Sequence, residues 1–321
     1  MHNQIEIAFG PVPSRRLGSS LGINNIPLKH CSYNCVYCQI GKGLSVETMR
    51  RAFYDPKVVF ESVSKRLEII ESKGERVDFI TFVPDGEPTL DINLGKEIEL
   101  VKTLGIKVAV ITNSSLLWDK EVRDALSKAD FVSFKVDAVS EKIWRIVNRP
   151  SNKLSLERIL EGIITFSDLF RGTLVSETML IAKINYGDEA GKIASFLSNV
   201  NGLKKAYVAV PTRPPAEEWA GPPERGTVLY FLARFNEILG SKVFPLDFPE
   251  KGEFGYTGNA EKDILSAAFV HPLSKEAVQQ ILEKDNENWE TIEKLIESKQ
   301  LLEVKFGDKL YYRAAKPENA F

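Results

Sequence analysis

Residues 55–83 read DPKVVFESVSKRLEIIESKGERVDFITFV. The stretch is one helix–strand unit. Val59, Val63, Leu67 and Ile70, with Phe60 beside them, recur at helical spacing and predict a helix from Pro56 to Lys73. Asp55 stands at its N-cap, Pro56 at its first position and Gly74 just past its end. Val77 to Val83 is a β-branched and aromatic run of strand length.

The same unit recurs outward in both directions. An apolar stripe through Leu94, Ile98 and Val101 stops at Gly105 and is followed by the strand Lys107 to Ile111. A helix at Trp118–Ser127 precedes a strand at Phe131–Asp137. Helices near Ser155–Phe170 and Asp188–Val200 precede strands near Leu174–Ile181 and Ala206–Val210. With a first strand near Leu21–Ile26, six strands alternate with helices. Such alternation predicts parallel strands with crossover helices, and six units suit an α/β fold of the partial (β/α)6 barrel kind. Chemistry in parallel barrels sits in the loops that follow the strands.

Beyond Val210 the texture changes. Pro211 to Arg225 holds five prolines and reads as a loop or lid. A helix follows near Val228–Leu239, and residues 241–259, rich in Pro and Gly, read as a linker after a barrel of residues 1–240. Helical patterns at Ile264–Phe269, Ser274–Lys284 and Trp289–Lys299, then two strand-like runs around Gly307-Asp308, predict a winged helix over 260–321. Winged helices often bind nucleic acid, yet Glu261 to Phe321 carries 12 acidic and 9 basic residues, a net of −3. That charge favours contact with protein, peptide or the barrel itself.

All three cysteines of the 321-residue chain lie in PLKHCSYNCVYCQIG, Pro27 to Gly41, directly after the first predicted strand. A core of ordinary apolar content, 43%, needs no disulfide staples, and an odd count of thiols argues against them. With no apolar leader and no run of membrane-spanning length, the expectation is a soluble cytoplasmic protein with no membrane contact. Clustered thiolates select zinc or iron–sulfur. Structural zinc wants four ligands, and His30 beside Cys31 is poorly placed to be the fourth. The other reading is a [4Fe–4S] cluster with three irons held by Cys31, Cys35 and Cys38 and the fourth open.

CSYNCVYC, with Tyr37 before the last cysteine, resembles the Cys-x3-Cys-x2-Cys motif of the radical S-adenosylmethionine (SAM) superfamily. That resemblance implies that SAM chelates the open iron by its amino and carboxylate groups. It also implies reductive cleavage to methionine and a 5′-deoxyadenosyl radical, which abstracts hydrogen from a substrate. The cofactor carries the radical step and the protein positions it. After the second strand, Gly86-Glu87-Pro88 within PDGEPTLD resembles the family's Gly-Gly-Glu-type segment that binds the methionine amino group.

By the same resemblance, Asn113, Ser133, Lys135, Asp137 and Thr178 are candidate cofactor contacts, with Thr112, Ser114 and Glu177 beside them and Lys183 and Asn185 weaker. Ser133, Lys135 and Asp137 alternate and so share one face of a strand. GPVPSRRLG, the Lys135–Ala138 segment KVDA and Asn148-Arg149-Pro150 together resemble an iron–sulfur oxidoreductase branch similar to wyosine-type tRNA-modifying enzymes. Those archaeal enzymes carry further cysteines for a second cluster, and this chain has none to spare.

The first 50 residues carry a local net of +3, and Arg15-Arg16 can clamp an anion or simply be structural. The implied partners are a reductant such as flavodoxin or ferredoxin and an RNA or peptide substrate. A zinc-stabilised binding protein and an iron–sulfur winged-helix redox sensor are the readings of another class. Gly86-Glu87-Pro88 speaks against the sensor, which has no need of a methionine site.

Overall fold

The computed structural model describes residues 6–27, 29–42, 46–247 and 254–315. Parts of the expected linker (248–253), of the cysteine stretch (Leu28) and of the C-terminal segment (316–321) lie outside the described residues.

The six predicted strands form. They are β2 (Gly18–Ile23), β3 (Phe79–Phe82), β4 (Lys107–Thr112), β5 (Phe131–Lys135), β6 (Thr173–Met179) and β7 (Leu203–Ala209), all parallel in chain order. Two further strands extend the sheet to eight: β1 (Ala8–Ser14), antiparallel to β2, and β8 (Val243–Leu246), parallel to β7. Both contain proline, Pro11 and Pro13 in β1 and Pro245 in β8. Proline argues against a strand from sequence but is tolerated at a sheet edge, where its missing N–H breaks no ladder. Residues 243–246 therefore belong to the sheet and not to a linker.

Arg15, just past β1, donates to the Leu246 carbonyl at 2.9 Å. These residues sit on opposite edges of the sheet, so it curves round until its edges nearly meet, as in a partial barrel.

The helices are α1 (Pro56–Ser72), α2 (Leu94–Lys102), α3 (Lys120–Leu126), α4 (Glu141–Asn148), α5 (Leu156–Leu169), α6 (Glu189–Ser198) and α7 (Arg225–Leu239). Asp55 caps α1 by accepting from the Lys57 amide at 2.9 Å. Helix α4 was not expected; it ends at Arg149 in the left-handed conformation.

The C-terminal segment holds α8 (Ala260–Val270), a two-residue strand β9 (Leu273–Ser274), α9 (Lys275–Lys284), α10 (Glu290–Glu297) and the hairpin β10 (Leu301–Phe306) and β11 (Lys309–Ala314). Its core is not its own. Phe9 and Val12 of β1 pack into one cluster with Ile264, Ala268, Leu282 and Tyr312. Phe9 can lie flat there because residue 22 is glycine: a Cβ would come within 2.2 Å of its ring. Gly255 meets β1 as closely, its added Cβ lying 2.1 Å from Pro11. Arg66 of α1 and Asp263 of α8 pair at 2.7 Å with side chains 6% and 2% exposed. Arg66 also donates to the Gly10 carbonyl, and Asp263 accepts from the Thr257 amide.

Removing one partner of a buried pair strands the other charge. Asp263→Ala is expected to cost about 3–5 kcal/mol in thermal or denaturant unfolding. Arg66→Met with Asp263→Leu is expected to cost much less; equal losses would show that the pair does not act as a unit.

A second buried network lies beneath the sheet's rim. Asn25 donates to Glu97 at 3.2 Å, and Glu97 faces Asp91. One oxygen of each carboxyl has no donor among the described residues, which a proton shared between them supplies. Burial raises both carboxyls, and the charge of Asp91 raises Glu97 further. A carboxyl raised on folding holds a proton that the unfolded chain has released, so stability falls as pH rises from the unfolded value towards the folded one. The wild type should therefore lose more thermal stability between mildly acidic and mildly alkaline buffer than Glu97→Gln; parallel curves would remove the shared proton.

Candidate active site

The cysteine loop follows β2 and is held by hydrogen bonds to its own residues and to two distant segments. Cys38 and Gly41 close tight turns, their amides donating to the Cys35 and Cys38 carbonyls at 3.1 Å. The C-terminal end of α4 grips the loop next. Asn34 donates to the Asn148 carbonyl, Val36 to Val147, and Ser151 back to Ser32. The left-handed turn at Arg149 lets residues 147–151 run alongside the loop. Trp144 on α4 donates to the Tyr33 hydroxyl at 3.1 Å. This grip gives Asn148-Arg149-Pro150 its structural meaning.

The second clamp is the PDGEPTLD loop after β3. Gly86 lies against the carbonyl of His30, immediately before Cys31, and a Cβ there would sit 2.0 Å from that oxygen. The Glu87 amide donates to the same carbonyl at 3.0 Å. Pro88 opens a short 3-10 turn, Pro88–Leu90, that Glu87 caps. One Glu87 oxygen accepts from the Thr89 amide and hydroxyl and from the Thr112 hydroxyl; the other accepts from the Asn113 amide at 2.7 Å. The carboxyl is buried, which raises it, while these four donors pull it down. Glu87 therefore ties the loop after β3 to the end of β4.

The three thiols are half-buried and unbridged. Asn113 and Asn148 each point a side-chain amide at a sulfur, Cys31 and Cys35 respectively, at 3.5 Å. Burial raises Cys31 first, then the charge of Cys35, with smaller contributions from Glu87 and Cys38. Cys35 is pushed up to about 12 by burial and by Asp137. Thiolates so disfavoured need a metal cation to exist. Three thiols on one loop are one ligand short of a structural zinc site and suit a cluster that spans them.

Asp137 accepts from the Tyr37 hydroxyl, from Asn148 at 2.7 Å and from the Met179 amide at 2.9 Å. Burial and the Asp137 charge keep the Tyr37 phenol protonated, so it stays a donor. Lys135 lies 5.4 Å over the Tyr37 ring and 2.5 Å from Glu177, and burial lowers it. Ser133, two residues back on the same face of β5, is buried with a hydroxyl that finds no partner among the described residues.

Other candidates go elsewhere. Glu177 and Met179 line the cavity described below, and Thr178 between them gives its hydroxyl to the Val136 carbonyl at 2.8 Å. Strand alternation puts it on the opposite face. Ser114 exchanges bonds with the Lys135 backbone. Lys183 and Asn185 form a turn, Asn185 accepting from the Gly187 amide. Arg149 pairs with Glu217 at 2.6 Å.

A cavity of about 270 Å³ opens beside Tyr37 and Cys38 within the curve of the sheet. Thr81, Ile111, Lys135 and Glu177 line it from the strands, Arg15 and Arg16 from the β1–β2 turn, and Arg213 from the proline-rich loop. Val270 and His271, at the end of α8, complete the wall. Arg213 is held between Gln39 of the cysteine loop, at 3.3 Å, and His271, at 2.5 Å. Gln39 also donates to the Val270 carbonyl at 3.0 Å. Nothing in the sequence patterns pointed to Gln39, Arg213 or His271, because the contact joins segments far apart in the chain.

The Radical SAM superfamily model matches residues 25–196, the span from the cysteine loop through α6. The chain belongs to the radical SAM superfamily. It is 46% identical over 308 residues to a UPF0026 protein of Methanocaldococcus jannaschii, covering 95% of each chain. A UPF0026 protein of Helicobacter pylori is 31% identical over 314 residues, 96% of this chain and 97% of that one. Among solved structures, TYW1 with a lysine-pyruvate adduct bound superposes with a TM-score of 0.53 at 15% identity, over 69% of this chain and 75% of that one. A radical SAM methyltransferase from Sphaerobacter thermophilus gives 0.51 at 14% identity, over 70% and 66%. Both likenesses are of fold.

This radical SAM chain uses a [4Fe–4S] cluster and S-adenosylmethionine. Donors aimed at cluster sulfurs raise the reduction potential. Asn148→Ala and Asn113→Ala are each expected to keep iron but move the cluster midpoint to a more negative value in a redox titration; unchanged midpoints would mean that the amides serve only Asp137 and Ser32. No helix of the described residues is long and apolar enough to cross a membrane.

Proposed function

We propose that the chain cleaves S-adenosylmethionine reductively at a [4Fe–4S] cluster bound by Cys31, Cys35 and Cys38, and abstracts hydrogen from a substrate held in the adjoining cavity. The observation that carries this reading is the placement of three half-buried thiols on one loop, two with amide donors on sulfur and the third, Cys38, in the wall of that cavity. The bound cofactors supply the electron transfer and the radical.

The protein's own residues hold and orient. Gly86 presses the second loop onto the first. Glu87 fixes Thr112 and Asn113 and offers its less occupied oxygen, the acceptor of the Asn113 amide alone, to an ammonium. Tyr37, fixed by Asp137, walls the site, and Lys135 is the nearby cation for a carboxylate. Ser133 has an uncommitted hydroxyl on the same strand face. Thr178 leaves the set.

For the substrate, an RNA base is the first reading. The net +3 of the first 50 residues and the fold shared with TYW1 support it. The C-terminal segment, three helices and a hairpin, is a winged helix in this reading. Its acidity and its contribution of Val270 and His271 to the cavity favour a role in completing the pocket, and a peptide or protein substrate is the second reading. A flavodoxin or ferredoxin serves as reductant.

Anaerobic reconstitution is expected to load about four irons per chain. Dithionite and S-adenosylmethionine should then give 5′-deoxyadenosine. Each of Cys31→Ala, Cys35→Ala and Cys38→Ala should abolish the brown chromophore. Glu87→Ala should retain it, lose stability through stranded donors at about 1–3 kcal/mol each, and bind S-adenosylmethionine more weakly. A fully loaded wild type that yields no 5′-deoxyadenosine, with cell extract supplied as substrate, would refute the proposal.

A further inference from the structure

Resting on the reading of the three cysteines as cluster ligands, the way each is held tells what the C-terminal segment contributes. Cys31 and Cys35 are steadied at sulfur by the amides of Asn113, just past β4, and Asn148, at the end of α4. Cys38 is held through its backbone and through the residue after it. Its amide donates to the Cys35 carbonyl and its carbonyl accepts from the Gly41 amide, each at 3.1 Å. A short turn closed only by such backbone bonds opens locally at small cost. Gln39 stands inside this turn.

Both ends of the half-buried Gln39 side-chain amide are engaged. Its nitrogen donates to the Val270 carbonyl, at the end of α8, at 3.0 Å. Its oxygen accepts from Arg213 of the proline-rich loop at 3.3 Å. Arg213 in turn reaches His271, the residue after Val270, at 2.5 Å. Further contacts meet the end of the turn. Arg313 of β11 lies against Gly41, where an added Cβ would fall 3.1 Å from its guanidinium. Tyr311, on the same strand, donates to the Thr212 carbonyl at 2.9 Å. The Glu217 amide, further along the proline-rich loop, donates to the Val36 carbonyl at 2.9 Å. The turn that carries Cys38 is thus fixed from α8, β11 and the proline-rich loop, whereas Cys31 and Cys35 are fixed from the barrel.

Three thiolates hold a cluster only as firmly as the least constrained of them. A side chain bonded at both ends to separate segments removes the freedom that the Cys38 turn has by itself. We propose that Gln39 is a positioning residue for the cluster. It ties the turn that carries Cys38 to the end of α8, and the C-terminal segment thereby forms part of the cluster site. Arg213 acts through Gln39.

The test is release of iron from the anaerobically reconstituted full-length protein to a ferrous chelator, bathophenanthroline disulfonate, with the electron paramagnetic resonance spectrum of the reduced cluster as the second readout. The wild type is expected to hold about four irons. Gln39→Ala should release them about tenfold faster, the scale of one to two lost hydrogen bonds in a local opening, and should shift the g values. Arg213→Gln should speed release by a smaller factor. The double variant should be no faster than Gln39→Ala, because residues that act in series do not add. Lys120→Gln, whose side chain is 79% exposed, should match the wild type.

Thermal midpoints of the iron-free proteins report whether each variant folds. If Gln39→Ala does not fold, Gln39→Glu carries the comparison, since it keeps the bond from Arg213 and loses only that to Val270. A folded Gln39→Ala that takes up no iron supports the proposal outright. A lowered midpoint with the release rate and spectrum of the wild type means a merely structural role and overturns it; additive effects in the double variant overturn the link through Arg213. A wild type that loads no cluster removes the underlying reading and this one with it. A wild type that loads and cleaves S-adenosylmethionine while Gln39→Ala matches it in release and spectrum removes this one alone.

Discussion

The contact of Gly86 with the His30 carbonyl is where the two halves of the site are joined. One residue belongs to the loop after β3 and the other stands directly before Cys31. At a separation where a Cβ would fall 2.0 Å from the oxygen, only glycine allows the loops to touch. That contact lets the Glu87 amide bond the same carbonyl, and Glu87 in turn reaches Thr112 at the end of β4 and Asn113 just past it. Asn113 then points back to Cys31. The circuit closes on Cys31, next to the carbonyl at which it began, and each link is a hydrogen bond or a steric stop.

Much of this was legible in the sequence, for identifiable reasons. Parallel strands with crossover helices write their period directly into the chain, and β2 to β7 and their helices appear where apolar spacing placed them. The cysteine triplet and the Gly86-Glu87-Pro88 loop are local motifs, so their positions after β2 and β3 followed from the strand count. What was hidden lies at edges and between distant segments. Strands β1 and β8 carry prolines that disguise them, and only sheet pairing reveals them. Thr178 was a candidate because it lies on a favourable strand, yet its neighbours Glu177 and Met179 take the inner face. Asn148 stood out only within the Asn148-Arg149-Pro150 segment; its role depends on α4, which the sequence pattern did not announce.

The C-terminal segment illustrates the limits of reading modules one at a time. Three helices and a hairpin suggest an independent unit by pattern alone. In the structure its core includes Phe9 and Val12, its α8 is pinned by Arg66, and His271 reaches the cavity wall. Its surface is acidic where a phosphate-reading helix would be basic, while its inner edge helps to place an arginine. The two ends of one segment therefore carry different electrostatic characters, and the inner end is the one that bears on the site.

That shared core has a temporal consequence. Strand β1 is synthesised well before its apolar partners, with Tyr312 more than 300 residues further along the chain than Phe9. During translation Phe9 and Val12 must wait, uncovered by these partners, until the segment around Tyr312 has left the ribosome. The crossover units between them can assemble from neighbours in sequence, but this seam can close only after them. A growing chain would thus carry an exposed apolar edge strand while the intervening residues are made, and the prolines at 11 and 13 are suited to keeping that edge from pairing with another chain in the interval.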